Sequence, residues 1–251
     1  MFQIFKDIFK SKPKLRLHDF SEIAVDMHSH LIPGIDDGSR SNEESLQMIS
    51  ALHQLGFQKL ITTPHIMSGG YDNTTAIISE GRDKLSSYLT SNGEYIQLER
   101  SAEYYLDGHF ENLIQAKDLM PFGKNYILFE LSYMFRPTKL EQLVFELNMD
   151  EYKPILAHPE RYNYLGDKDL KQLKKVKEAG MYFQLNLFSL VGAYGPGAKQ
   201  LGEKLIQEKM IDFVGTDIHN PAQLRYFEEL MENQHLYELI DQGKLLNKSL
   251  I

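Results

Sequence analysis

The chain has no cysteine among its 251 residues. That excludes disulfides, thiolate zinc sites, iron–sulfur clusters and catalysis by a cysteine nucleophile. It has no excess of positive charge either, since 27 Lys+Arg stand against 35 Asp+Glu for a net charge of −8. Sequence-independent nucleic-acid binding depends on basic surfaces that displace counterions, so no nucleic-acid partner is expected. No apolar run approaches the roughly 20 residues of a membrane span. The opening residues lack an uninterrupted signal-peptide core, so a cytoplasmic location is the expectation. Low-complexity tracts and internal repeats are missing, and so are the glycine-rich phosphate loops of nucleotide-binding sheets.

What is present suffices for one large core. Hydrophobic residues make up 42%, with 14 Phe and 14 Tyr, and the length suits a single α/β barrel. At helical spacing Phe2, Ile4, Phe5, Ile8 and Phe9 share one face, with Lys6 and Lys10 opposite. Residues 1–20 therefore read as an N-terminal amphipathic segment. It either docks on its own domain or makes a weak peripheral membrane contact through residues 1–12.

Further on, β-rich runs alternate with helical ones. Strands are expected at residues 23–28, 59–65, 95–103, 126–131, 154–158, 182–187 and 211–217. Amphipathic helical segments include 42–55, 140–148, 169–179, 198–209 and 222–232. Ser41 with Glu44 reads as a capping box, and Gly56 and Gly180 sit where helix C-caps belong. Seven strands with crossover helices imply parallel pairing, and the missing phosphate loops favour a barrel over a doubly wound sheet. Barrel chemistry sits at the C-terminal ends of the strands.

Six of those seven ends carry a possible metal ligand: His28 and His30, His65, Glu103, Glu130, His158, then Asp217 and His219. The exception is the sixth strand, which ends Gln184-Leu185-Asn186-Leu187. Two residues apart on an extended chain, His28 and His30 project to one side and can grip one ion, and Asp217 and His219 repeat that spacing. His53, mid-helix, and His18 and His235, without partners at ligand spacing, are left aside. His109 follows Gly108 on a loop that could approach the site. Glu103 is preferred to Glu99, which lies four residues deeper in its strand.

These residues carry a resemblance. The stretches DMHSHLIPGIDDG at 26–38, TTPH at 62–65, AEYY at 102–105, LFEL at 128–131, AHPERY at 157–162 and GTDIHN at 215–220 occur in order along most of the chain. The chain resembles the PHP (polymerase and histidinol phosphatase) superfamily, and within it the metal-dependent protein-tyrosine phosphatases found with bacterial capsule and exopolysaccharide genes. The resemblance implies an α/β fold, a distorted seven-stranded (β/α) barrel, with residues 21–251 as one catalytic domain. It implies three divalent ions: one on His28, His30, Glu103 and Asp217; one on Glu103, Glu130 and His158; one on Asp37, His65 and His219. Asp37, with Asp36 as its confusable neighbour, rests on the resemblance alone. So do the phosphate-binding roles of Arg161 and, offset in spacing, Arg225.

Nitrogen and oxygen donors without sulfur suit manganese, iron, zinc or magnesium, and the resemblance favours manganese or iron. The expected reaction is hydrolysis of a phosphomonoester by a metal-bound hydroxide, with Arg161 on the phosphoryl oxygens and His109 or water protonating the leaving group. The implied substrate is phosphotyrosine on an autophosphorylated tyrosine kinase of polysaccharide assembly. Three alternatives stay open: a small-molecule phosphatase acting on something like histidinol phosphate, a metal-dependent amidohydrolase, and a non-catalytic kinase-binding scaffold. The loops 67–71 and 189–197 are expected to border substrate access.

Overall fold

In a computed structural model of the chain, residues 16–251 are described. The β-branched and aromatic runs form strands β1 (Val25–Asp26), β2 (Lys59–Thr62), β3 (His65–Ile66), β4 (Gln97–Arg100), β5 (Glu103–Tyr105), β6 (Tyr126–Glu130), β7 (Lys153–Ala157), β8 (Tyr182–Asn186) and β9 (Phe213–Gly215). Neighbouring strands pair in parallel, in two sheets ordered β1-β2-β4 and β3-β5-β6-β7-β8-β9. Parallel strands need long crossovers. These contain α1 (Asn42–Gln54), α2 (Thr75–Ser91), α3 (Gly108–Ala116), α4 (Leu140–Met149), α5 (Lys171–Glu178) and α6 (Gly195–Gln207), and α7 (Tyr226–Met231) and α8 (Gln234–Asp241) follow the last strand. The fold is mixed α/β with parallel sheets.

Two sheets stand where the sequence suggests a single closed one, and the cause is local. The run beginning at Lys59 breaks at Thr63 and Pro64, where proline has no N–H for a ladder. The run beginning at Gln97 breaks beside it, at Ser101 and Ala102. Single bonds bridge the gap: Ser101 N donates to Thr62 O at 2.9 Å and Glu103 N to Pro64 O at 3.1 Å. Past the strand ends, Asp217 N donates to His28 O at 2.8 Å and His30 N to Ile218 O at 3.0 Å. Buried Asp26 accepts from Thr216 N at 2.9 Å and from Thr216 Oγ1 at 2.6 Å. Burial pushes its carboxyl up to about 6, against those bonds. The chain's last strand therefore lies against its first, and the two ligand pairs at either end of the sequence meet.

Alternation along the strands sorts the core. On β6, Ile127 and Phe129 face the large core shared with the helices, while Tyr126 and Leu128 join a smaller core with Ile155, Phe213 and Leu250. The two-residue period then puts Glu130 on the inner side, beyond Leu128. Glu99, within β4, pairs with buried Lys59 at 2.5 Å and does not join the ligand cluster.

α1 has Ser41 as its N-cap, with Oγ accepting from Glu44 N at 3.3 Å. The Glu44 carboxylate accepts from Arg40 N at 3.0 Å and so does not close the expected capping box. Gly56 follows the helix at φ +100°. The stretch 222–232 departs from one continuous helix. Pro221–Arg225 is a 3-10 helix and α7 starts after it. Gln223 in that turn accepts from His219 N at 2.7 Å, a bond that tightens the turn beside the site. Residues 17–20 join the body, with Leu17 N bonded to Met231 O at 2.8 Å and Phe20 stacked on Phe57. Residues 1–15, which carry most of the amphipathic segment and its expected membrane contact, lie outside the described residues. Among the described residues no helix is long and apolar enough to cross a membrane.

Asn247, fully buried near the C-terminus, clamps the first and last strands. Its Nδ2 donates to Val25 O at 2.9 Å and Val214 O at 2.7 Å, and its Oδ1 accepts from Val214 N at 3.0 Å. Replacing Asn247 by Ala leaves those backbone groups without partners. A loss of about 2–4 kcal/mol of stability is expected, read from urea denaturation midpoints.

Candidate metal centre

The strand ends place their ligands around one point. His28 and His30 follow β1, His65 opens β3, Glu103 opens β5, Glu130 ends β6, His158 follows β7, and Asp217 and His219 follow β9; Asp37 comes from the loop before α1. Three sets of ligand atoms lie within 4.8 Å of one another: His28, His30, Glu103 and Asp217; His30, Asp37, His65 and His219; and His65, Glu103 and Glu130. The first set is the one the resemblance implies. The second adds His30 to the implied trio. In the third, His65 stands where His158 is implied, while His158 Nε2 meets the other oxygen of Glu103 at 3.0 Å.

These contacts fit cations better than hydrogen bonds. His28 Nε2 and His30 Nε2 face each other at 3.4 Å. Glu103 Oε2 lies 3.1 Å from His28 Nε2, 3.4 Å from His30 Nε2 and 3.3 Å from His65 Nδ1. Asp217 Oδ1 lies 3.3 Å from both His28 Nε2 and His30 Nε2. Two ligand atoms each about 2.1 Å from one ion sit roughly 3.0–3.4 Å apart, so the spacing is that of coordination edges. Buried His65 Nδ1, Glu103 Oε2 and His158 Nδ1 have no hydrogen-bond partner. Buried polar atoms are rarely left so, and the donor set accommodates divalent metal ions.

Other side chains aim the ligands. His28 Nδ1 lies 2.9 Å from Gln184 Oε1, and His30 Nδ1 lies 2.9 Å from Asp36 Oδ2. Each contact holds the ring proton on Nδ1 and leaves Nε2 free to coordinate. Gln184 Oε1 also accepts from His158 N at 3.3 Å, and Asn186 Nδ2 donates to Asp217 Oδ2 at 2.8 Å. So the sixth expected strand, which ends in no candidate ligand, contacts three of the candidates. His158 (φ 34°) and Asp217 (φ 52°) occupy the left-handed region, unusual for residues with a Cβ and concentrated at functional sites. At Gly215 an added Cβ would come within 2.6 Å of His28 Cβ, so only glycine lets β9 approach the histidine pair.

The electrostatics follow from crowding. Asp36, Asp37, Glu103, Glu130 and Asp217 approach the histidine cluster, and among the described residues lining the cavity Arg161 is the fixed cation. Burial, reinforced by the Glu103 charge, pushes the Glu130 carboxyl up to about 8. For Glu103 burial acts the same way, but His28, His158 and His30 outweigh it and hold the carboxyl well below its usual range. Asp217 is lowered likewise against burial, by His28, His219, His30 and Arg161. Burial and the Arg161 charge lower His158 to about 4. His30 is raised well above its ordinary value by Asp36, Asp217 and Glu103, although burial opposes it. Cations bound there would favour the deprotonated forms of His30 and Glu130.

The ligands floor a cavity of about 450 Å³, bordered by Tyr71, Tyr133, Arg161, Tyr194 and Gln223. Arg161 Nη1 donates to Asp217 Oδ2 at 3.0 Å, and its guanidinium lies 4.9 Å from the Tyr133 ring and 4.1 Å from the Tyr194 ring. It is therefore held in place facing the metal ligands. The adjacent Glu160 turns away and accepts from Asn186 N and Ser189 Oγ. Arg225 is exposed, bonds the Tyr226 hydroxyl at 3.0 Å and does not line the cavity. His109, exposed in the first turn of α3, does not line it either. Sequence reasoning did not single out Asp36, Gln184 or Asn186 for these duties. The signal available was their placement beside the ligands, one residue before Asp37 and on the inner end of β8.

The family described as capsular polysaccharide synthesis, CpsB/CapC, matches residues 24–236. The tyrosine-protein phosphatase YwqE of Bacillus subtilis is 30% identical over 197 residues, covering 78% of this chain and 77% of its own. The tyrosine-protein phosphatase CpsB of Streptococcus agalactiae is 24% identical over 202 residues, covering 78% and 83%. Among solved structures, one described with YwqE from Bacillus subtilis and CpsB from Streptococcus pneumoniae as metal-dependent tyrosine phosphatases is similar at a TM-score of 0.75. It is 28% identical and covers 90% of this chain and 95% of that one.

Gln184→Leu removes the acceptor shared by His28 and His158 without touching a ligand. Affinity for manganese is expected to fall about 10–100-fold, measured by competition with a chelating dye. Unchanged affinity would remove Gln184 from this role.

Proposed function

The chain belongs to the CpsB/CapC family of capsular polysaccharide synthesis, and from that premise and the geometry of its site we infer that it is a metal-dependent tyrosine-protein phosphatase. The observation that carries the inference is the meeting of three ligand sets and one stacked arginine at a single cavity. Relatives across the same stretch are named tyrosine-protein phosphatases.

Three divalent ions, manganese or iron before zinc or magnesium, fit the proposal, with His28, His30, Asp37, His65, Glu103, Glu130, His158, Asp217 and His219 as their ligands. Bound there, they would supply Lewis acidity, bringing the pKa of a coordinated water towards neutrality and neutralising phosphoryl charge. The chain's own residues do the rest. Arg161 offers a planar fork to two phosphoryl oxygens. Asp217 and the Tyr133 and Tyr194 rings hold that fork in position before substrate arrives. Asp36 and Gln184 keep the protons of His30 and His28 on the nitrogens turned away from the ligand cluster.

The two sheets are read in the same proposal as one distorted seven-track (β/α) barrel, with residues 21–251 as a single catalytic domain. The bonds from Asp217 to His28 and across the Pro64 gap support it. The proposed substrate is a phosphotyrosine protein, specifically an autophosphorylated tyrosine kinase of polysaccharide assembly, met in the cytoplasm. The family's link to capsule synthesis supports that choice.

Phosphate release from a phosphotyrosyl peptide should vanish on exhaustive chelation and return with manganese, and it should exceed release from histidinol phosphate. Arg161→Ala is expected to lower kcat/KM by about 10²–10³-fold, and Arg161→Lys should not restore it, because an ammonium cannot make the paired contact. Full turnover by metal-stripped protein would falsify the inference. Kinase binding without any phosphate release would favour the scaffold alternative.

A further inference from the structure

The mouth of the cavity is aromatic, and its rings are set by the ligands beneath them. Tyr71, from the loop between β3 and α2, stacks on His65 with centroids 5.3 Å apart and planes 15° apart. Tyr133, from the loop between β6 and α4, stacks on His158 at 6.0 Å and 21°. His65 and His158 approach opposite oxygens of Glu103, Nδ1 to Oε2 at 3.3 Å and Nε2 to Oε1 at 3.0 Å. Each tyrosine thus backs a histidine that meets a different oxygen of Glu103. Tyr194 completes the rim, stacked on Arg161 and bonded through its hydroxyl to Asn186 Nδ2 at 3.2 Å. All three line the same cavity.

We propose that Tyr71 and Tyr133 form a clamp for the aromatic ring of an aryl phosphate, and so determine selection of aryl over alkyl phosphomonoesters by contact with the ring. The inference rests on the phosphatase reading above and adds the side chains that choose the substrate. A phosphate seated over the metal ligands beside Arg161 leaves its ester substituent directed out between the two rings. A flat apolar ring fills that gap and meets aromatic surface on two sides, whereas a serine or threonine methylene leaves it to water. Each aromatic pair is worth about threefold to tenfold in affinity. Tyr133 is 44% exposed, so part of its surface remains uncovered in the free protein and open to a ligand. Phenolate leaves more readily than an alkoxide, so a turnover preference for aryl esters would arise without any clamp. The clamp has to be read from binding.

Calorimetric titration of the manganese-loaded protein with phenylphosphonate and with methylphosphonate, neither of which is hydrolysed, isolates the ring contact. Wild type should bind phenylphosphonate about 10–100-fold more tightly. Tyr71→Leu and Tyr133→Leu should each cut that ratio about threefold to tenfold, while Tyr71→Phe and Tyr133→Phe keep it, since the ring face and not the hydroxyl makes the contact. The ratio is the readout because Tyr133→Leu also loosens Arg161, which affects both phosphonates alike. Equal binding of the two by wild type, a ratio untouched by both Leu variants, or loss of the ratio in the Phe variants overturns the clamp. A protein that prefers phenylphosphonate yet releases no phosphate from phosphotyrosine would count against the phosphatase reading and leave the clamp standing.

Discussion

Several carboxylates buried around one point repel each other, and in this protein that repulsion is the constraint the architecture answers. Buried Glu103, Glu130 and Asp217 line one cavity, with Arg161 as the permanent cation among the lining residues. Burial alone would protonate them. Burial raises the Glu130 carboxyl, while Glu103 and Asp217 are held low, Glu103 by imidazoles at both oxygens and Asp217 by imidazoles at Oδ1 and Arg161 at Oδ2. A side-chain cluster this costly suits cations that could complete it, and the orphaned His65 Nδ1 and Glu103 Oε2 lie among ligand atoms close enough to hold one.

Holding such a cluster requires a frame that cannot relax, and the strained backbone shows how it is held. His158 and Asp217 keep left-handed conformations because their neighbours are fixed on both sides. His158 N is bonded to Gln184, and Asp217 N to His28 O. Below, Asp26 with Thr216 and Asn247 with Val25 and Val214 bind the last strand to the first. Stability at the base of the fold thus supports strain at its mouth.

Much of this was legible in the sequence, for a definable reason. Parallel α/β folds display the ends of their strands, so a list of strand ends doubles as a list of site candidates. His28, His30, His65, Glu103, Glu130, His158, Asp217 and His219 emerge from that rule, and they do come together. The remainder depends on three-dimensional partners. Asp36 and Asp37 are alike in the sequence, and only folding sends one to the His30 ring and the other towards His65 and His219. Gln184 and Asn186 are neutral amides that coordinate weakly, so a search for ligands passes over them. The helix Thr75–Ser91 is rich in serine and threonine and interrupted by Gly81, which blurs its periodicity. Arg225 missed the cavity because Pro221–Arg225 winds as a 3-10 helix, whose shorter turn presents Gln223 to the site instead. The strand break at Pro64 was visible in principle, since proline cannot extend a central ladder.

Asp217 ties the candidate metal centre to Arg161. Its Oδ1 faces His28 and His30, while its Oδ2 accepts from Arg161 and Asn186. One carboxylate therefore faces the histidine pair with one oxygen and Arg161 with the other. A shift of that carboxylate shifts the guanidinium bonded to it. That coupling explains why Arg161 can sit mostly buried between two tyrosine rings with little freedom of its own. Its position is dictated by the same residue that closes the last strand onto the first. The Asp217 backbone N–H closes the fold while its side chain meets both the histidine pair and Arg161, so a substitution there disturbs the latter two together.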